Sequence, residues 1–435
     1  MTEVDSQSPK STRSNPASNV SNAIKQADTE IRKKYPFLNY QDTCGSVIFF
    51  GSLIAIAGCW VYYFKNPSSY AHCSLVIILV AFFTSFLHEL EHDLIHNLYF
   101  KKYPFIQDIM FFFIWISKLH GNPWYRREMH LKHHIVSGQL DDAEERLIGL
   151  GIPFGWRRLA VSMHPFGMLI AMNDVSKDST WLNVQKMNLS SAPVAFILFF
   201  LTKIYMVYLG AMWYFEDRWI EYLPERHWWW IRAANVCICL PNLIRQACIQ
   251  TMSNTSHYYG DVPEKSVFYQ NQILDHWMLY PYQFLCMNFG IDINSYLSPP
   301  SLISCSLIGA THIVHHYIPG QPFYIREMVY RRVKNYMVEQ GVRINDFGTL
   351  LRSNHYFNKP LPGGKEFSAL SKDEKEIAPN NSQVGIMAIW LGIEMTFGVL
   401  TYAIYDQWAF GCMMQRIFHR YIAGTVDAAN KQKVT

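Results

Sequence analysis

Three short stretches of this chain gather histidines at helical spacing. The first reads His88-Glu-Leu-Glu-His92-Asp-Leu-Ile-His96, the second His130-Leu-Lys-His133-His134, the third His312-Ile-Val-His315-His316. Side chains three or four residues apart on a helix share a face, so His88 and His92 point the same way. His130, His133 and His134 do likewise, and the third stretch repeats the second. Each stretch thus offers two or three imidazoles to one spot, as a polynuclear metal site requires. Imidazole suits iron, zinc, copper and nickel alike, so ligand type leaves the metal open. A lone histidine is more often a surface or satisfied core residue than a ligand. Two HxxHH stretches and an HxxxH in one chain are another matter.

Neighbouring residues fit supporting roles. His96 is rotated off the face of His88, because eight residues overshoot two helical turns by about 80°. It is expected to hydrogen-bond behind the metal rather than ligate. The carboxylates Glu89, Glu91, Asp93, Asp261 and Asp275 are candidates to orient imidazoles through their outer nitrogens, with Asn254 beside them.

The elements that must hold these stretches are apolar. Half of the 435 residues are hydrophobic and 17% are charged. Residues 47–64 are apolar except for Ser52, and 70–87 follow after a short polar break; each approaches the roughly 20 residues a bilayer span needs. The two form a helical hairpin with both ends on one side. Residues 105–116 are broken by Gln107 and Asp108 and read as a buried or interfacial helix. Further apolar stretches cover 192–215, 228–244, 277–291, 302–310 and 385–410, and Trp228, Trp229 and Trp230 suit an interfacial anchor. The expected fold is an all-α, multi-pass membrane protein with about four or more spans and a cytoplasmic helical cap carrying the metal. Residues 1–40 read as a disordered cytoplasmic arm, without the features of a signal peptide, 41–355 as the membrane domain, 356–383 as a polar linker, and 384–435 as an apolar helix and tail.

Composition excludes other classes. A net charge of +4 gives no case for nucleic acid. The nine cysteines are scattered without a Cys-x-x-Cys pair, which excludes a disulfide framework, a zinc ribbon and an iron–sulfur site. No glycine-rich flavin or dinucleotide fingerprint is present, so electrons must come from outside.

The three histidine stretches, in this order and spacing, resemble the boxes of the integral-membrane fatty acid desaturase and hydroxylase superfamily, which includes alkane-monooxygenase-like members. The resemblance covers roughly residues 47–322. It implies two iron ions held by His88, His92, His130, His133, His134, His312, His315 and His316. Asn254-Thr-Ser-His257-Tyr-Tyr-Gly-Asp261 is similar to the motif that supplies a ninth ligand, here His257. The resemblance further implies dioxygen as co-substrate, a lipid or fatty acyl substrate, and an external donor such as a ferredoxin, a rubredoxin or a b-type cytochrome. Desaturation, hydroxylation and oxidative decarboxylation all remain open. So do two other classes. His88-Glu89-Leu-Glu-His92 also matches HExxH, the zinc site of intramembrane metalloproteases, and clustered histidines could serve a metal transporter.

Overall fold

The computed structural model describes residues 15–67, 69–118, 121–139, 141–152, 155–163, 233–257, 267–276, 279–286 and 311–351, with single positions 168, 171, 172 and 175. The expected spans at 192–215, 302–310 and 385–410, the linker at 356–383 and Asp261 lie outside the described residues. Among the described residues the chain is helical. β structure is confined to the isolated bridges His257–Asn271 and Ile273–Ile344.

The expected hairpin is present as α2 (Gln41–Lys65) and α3 (Tyr70–Ile95). At 1.5 Å per residue each is about 38 Å long, more than the ~30 Å of a hydrocarbon core. Both are long and apolar enough to cross a membrane. Their outer faces are also left uncovered: Val47 is 67% and Ile54 71% exposed, whereas the core helix of a soluble protein would bury such residues. The last turns of α3 are different. Leu87, His88, Leu90, Glu91, His92, Asp93, Leu94 and Ile95 are all buried, so the first histidine stretch lies inside the protein rather than against lipid.

α4 (Pro104–Lys118) is the short apolar helix expected at 105–116. Its 15 residues reach about 22 Å, too short to span. Met110, Phe111 and Ile114 face inward while Phe105, Ile109, Phe112 and Phe113 remain exposed, as an interfacial helix requires. Gln107 pins it to the end of α3, donating to the Asn97 side chain at 2.5 Å and to the Tyr99 carbonyl at 2.7 Å.

The N-terminal arm departs from expectation. Within the segment expected to be disordered, Pro16–Lys34 forms the helix α1. Asn15 caps it by accepting from the Ala17 amide at 3.0 Å, and Pro16 occupies the first turn, where its missing N–H costs nothing. Val20, Ile24, Ala27 and Ile31 recur at helical spacing and are buried in the main core. Their counterpart is α12 (Phe323–Glu339), with Tyr330, Val333 and Met337 in the same core. Polar contacts fix the register: Asn19 donates to Gln340 at 3.2 Å, Gln321 donates to Asp28 at 2.9 Å, and Arg332 meets Glu30 at 3.0 Å. Polar composition suggested disorder; one narrow apolar stripe suffices for folding because a partner helix covers it. Ile24 is fully buried, so Ile24→Ala should cost about 2–5 kcal/mol. Thermal melting of the purified protein checks this, and an unchanged midpoint would show that α1 is not docked.

Candidate metal centre

The second histidine stretch lies on α5 (Pro123–Val136), started by Asn122, whose side chain accepts from the Tyr125 amide at 3.0 Å. A turn at Gly138 follows, with φ +74°; a Cβ there would collide with the Gln270 side chain. The turn leads to α6 (Ala143–Leu147), capped by Asp142, which accepts from the Glu145 amide at 3.1 Å. After α7 (Trp156–Met163), the expected span ending near residue 244 instead continues. A π-helical turn (Asn235–Cys239) runs straight into α8 (Leu240–Ser256), which delivers His257 at its end. α9 (Val267–Gln270) and α10 (Tyr280–Cys286) follow, and α11 (His312–Tyr317) carries the third stretch just before α12.

These elements bring ten histidines of the sequence motifs into one buried region, nine of them in two adjoining groups. His92, His96, His130 and His315 form one candidate metal-binding group. His134 joins it: its Nε2 is 3.0 Å from those of His130 and His315, and His130 Nε2 is 3.1 Å from His96 Nε2. His133, His257 and His316 form the second group. His312 joins that one, with its Nε2 3.2 Å from His257 Nε2 and 3.0 Å from His316 Nε2. The groups adjoin, since the rings of His134 and His316 are centred 5.0 Å apart.

These nitrogens fit a metal better than they fit one another. Each imidazole nitrogen carries either one N–H or one in-plane lone pair. His130 and His134 each place Nε2 in two close contacts, so each of them would have to donate or accept twice along a single direction. Neighbouring ligands at right angles around an ion held at about 2.1 Å stand about 3.0 Å apart, which is the spacing found.

The outer nitrogens complete the case. His130 Nδ1 is 2.8 Å from Glu144, His133 Nδ1 2.9 Å from Asp142, and His257 Nδ1 3.0 Å from Glu145. A carboxylate on Nδ1 fixes the tautomer that turns a lone pair on Nε2 inward. All three carboxylates come from one short segment around α6, eight to eleven residues beyond His134. Sequence reasoning passed over them. Their signal was an acidic run, Asp141-Asp-Ala-Glu-Glu145, directly after a histidine stretch.

The residues expected in the orienting role are placed elsewhere. Asp93 holds Arg326 (2.5 Å), Tyr99 and the Phe323 amide; Glu89 lies 3.5 Å from Arg326; Glu91 holds Lys118 and Arg126. Asn254 bonds the Ile148 carbonyl, and Asp275 holds Lys334 and accepts from Tyr330 at 3.1 Å. His88 and His96 exchange the places assigned to them. His96 stands among the converging rings, whereas His88 belongs to neither group. The geometric reason is simple: His92 and His96 are also four apart, and box two meets α3 on their shared face.

The electrostatics divide the histidines. Burial first, and then neighbouring His130 and Arg326, depresses His96 to about 2. Burial likewise holds His312, His315 and His316 well below the usual imidazole range, so all are neutral with lone pairs free for a metal. His133 is the exception. Burial opposes its charge, but the Asp142 and Glu145 carboxylates outweigh burial and raise it to about 10. In the metal-free protein His133 is therefore protonated at neutral pH, and metal binding must expel that proton. Affinity at the second group should rise about tenfold per pH unit as pH climbs toward about 10, and fall as pH drops. Calorimetric titration of metal-stripped protein over a pH series measures this; a pH-independent affinity would place His133 outside the ligand set.

A cavity borders the two groups. His92, His130, His133, His257 and His312 reach its wall, and Tyr125, Met129, Leu147, Ile148 and Ile249 supply an apolar lining. Converging imidazoles that could hold metal thus stand beside a largely apolar cavity at the end of membrane-length helices. The chain matches the fatty acid desaturase family over residues 68–348, more than half its length, and belongs to that family. It is therefore a membrane-bound oxidoreductase of lipid metabolism. Comparison with curated proteins gives no match.

Proposed function

We propose that this chain is a di-iron oxidoreductase that uses dioxygen and external electrons to desaturate, hydroxylate or oxidatively decarboxylate a fatty acyl or alkyl chain. The observation that carries the reading is the pair of adjoining imidazole groups, each with Nε2 atoms about 3 Å apart. His92, His96, His130, His134 and His315 would hold one ion, and His133, His257, His312 and His316 the other. When bound, the two irons supply activation of dioxygen for removing hydrogen from an unactivated C–H bond. The chain's own residues do the rest. Asp142, Glu144 and Glu145 keep Nδ1 protonated on His133, His130 and His257, so that each ring presents a lone pair inward. Tyr125, Met129, Leu147, Ile148 and Ile249 exclude water and accept the alkyl chain.

The HExxH alternative loses support from the same geometry. Among the described residues His88 shares no candidate metal-binding group with His92, and Glu89 lies 3.5 Å from Arg326. In the membrane, α2 and α3 cross as a hairpin and α4 lies in the interface, and the apolar sequence stretches at 192–215 and 228–244 would together make a second pair of crossings that returns the chain to the same side. The histidine groups and the N-terminal helix then share the cytoplasmic side, where a ferredoxin, a rubredoxin or a b-type cytochrome delivers electrons. Arg126-Arg127 and Lys101-Lys102 on that side suit this orientation.

The test compares lipids and volatiles, by mass spectrometry, from cells expressing the intact chain and its His315→Ala variant. A product made only by the intact chain is expected. Loss of two hydrogens identifies a desaturase, gain of one oxygen a hydroxylase, and a shortened terminal alkene a decarboxylase. Identical profiles from iron-loaded protein supplied with reductant would overturn the reading.

A further inference from the structure

We propose that His88 is no metal ligand but a channel residue that the alkyl chain passes, and that it sets which carbon reaches the metal. The inference rests on the di-iron reading and goes beyond it by assigning a specificity role within the first histidine stretch.

The nitrogen that would bind a metal is already engaged. His88 Nε2 lies 3.4 Å from Arg126 Nη2. A guanidinium only donates, so the His88 lone pair accepts from it and the ring proton sits on Nδ1. Arg126 is itself fixed. Its Nη1 meets Glu91 at 2.6 Å, and Glu91 meets Lys118 at 2.7 Å, with Glu91 and Lys118 almost wholly buried. Turning His88 toward the metal would take an acceptor from Arg126, whose side chain is only 14% exposed and otherwise meets Glu91. The ring is thus held in place by a network that serves no metal.

Its position gives it a job. His88 borders the cavity beside Tyr125 and Met129. It precedes His92 by one turn of α3, about 6 Å back toward the apolar body of the membrane-length helix. An alkyl chain moving from the bilayer to the histidine groups meets His88 before it meets His92. The depth at which the chain stops beyond this residue fixes the carbon that lies nearest the metal.

The experiment uses the full-length, iron-loaded protein with His88→Gln, His88→Phe and, as a ligand control, His96→Ala. The Gln side chain keeps an acceptor for Arg126, so it preserves the fold if Phe does not. Both His88 variants are expected to hold as much iron as the unsubstituted chain, while His96→Ala loses iron. His88→Phe should move the position of attack along the chain, or lower kcat/KM about tenfold through KM, the effect of a misfitted methylene or two. Binding of a fluorescent fatty acid to the loaded protein should weaken in parallel. Iron loss in His88→Gln matching that in His96→Ala would overturn the proposal by making His88 a ligand. An unaltered product, KM and fatty acid affinity in a folded His88→Phe variant would also overturn it. Failure of the oxidoreductase reading looks different, because the unsubstituted chain itself would then hold no iron.

Discussion

His315→Ala should empty the first histidine group and reduce turnover by more than about 100-fold. Loss of partners that merely orient a ligand costs about 10–100-fold in metal affinity or activity, and removing a ligand costs more. His315 is fully buried, and its ring centre lies 4.2 Å from that of His92 and 4.7 Å from that of His96. Its Nε2 is 3.0 Å from His134 Nε2, in contact with a ring from a different helix. His315 is therefore where α11 meets both α3 and α5. The register of α11 sharpens the test, because His312 and His316 belong to the second group and only His315 to the first. Iron counted per chain should fall by about one ion for His315→Ala and by about one for His316→Ala, since each variant addresses a different group. Undiminished iron in His315→Ala would refute the assignment of α11.

How far this site could be read in advance depended on what kind of information each part carried. The three histidine stretches were legible because ligand type and helical spacing are both local. The pairing within the first stretch was not. His88–His92 and His92–His96 have identical spacing, and only the direction from which α5 and α11 approach decides between them. The orienting carboxylates failed for a related reason. Glu91 and Asp93 sit beside His92 in sequence, but one residue along a helix turns a side chain about 100° off the ligand stripe. There they meet Lys118, Arg126 and Arg326 instead. Glu89, which shares the face of His92, lies against Arg326. The residues that reach Nδ1 come from α6, which the chain folds back over α5 through the turn at Gly138. Helix α1 was missed because its polar residues dominate the composition, yet Val20, Ile24, Ala27 and Ile31 form a stripe that only α12 makes meaningful. The apolar hairpin needed no partner to be recognised, and its helices lie where apolar length placed them.

Those same charges behind the ligand stripe carry the largest expected effect on stability. Arg326→Leu should destabilise the protein by about 3–5 kcal/mol, the usual cost of stripping one partner from a buried ion pair. For a chain of this size that is a fall of roughly 3–6 °C in melting midpoint. The Arg326 and Asp93 side chains are 3% and 0% exposed and meet at 2.5 Å. Asp93 also accepts from the Tyr99 hydroxyl and the Phe323 amide, each at 2.8 Å, so one carboxylate ties the end of α3 to the first residue of α12. Without Arg326 that carboxylate keeps two neutral donors but no countercharge, in a place water does not reach. Asp93→Leu combined with Arg326→Leu should recover much of the loss, because no buried charge is then left unpaired. The double variant separates electrostatic cost from simple loss of packing, which would add rather than cancel. Iron content should follow the same order. Asp93 lies between His92 and His96 in sequence, and α12 begins seven residues after His316. A slack junction between α3 and α12 therefore lets the first and third histidine stretches drift apart, whereas a neutral, tightly packed one holds them in register for the metal.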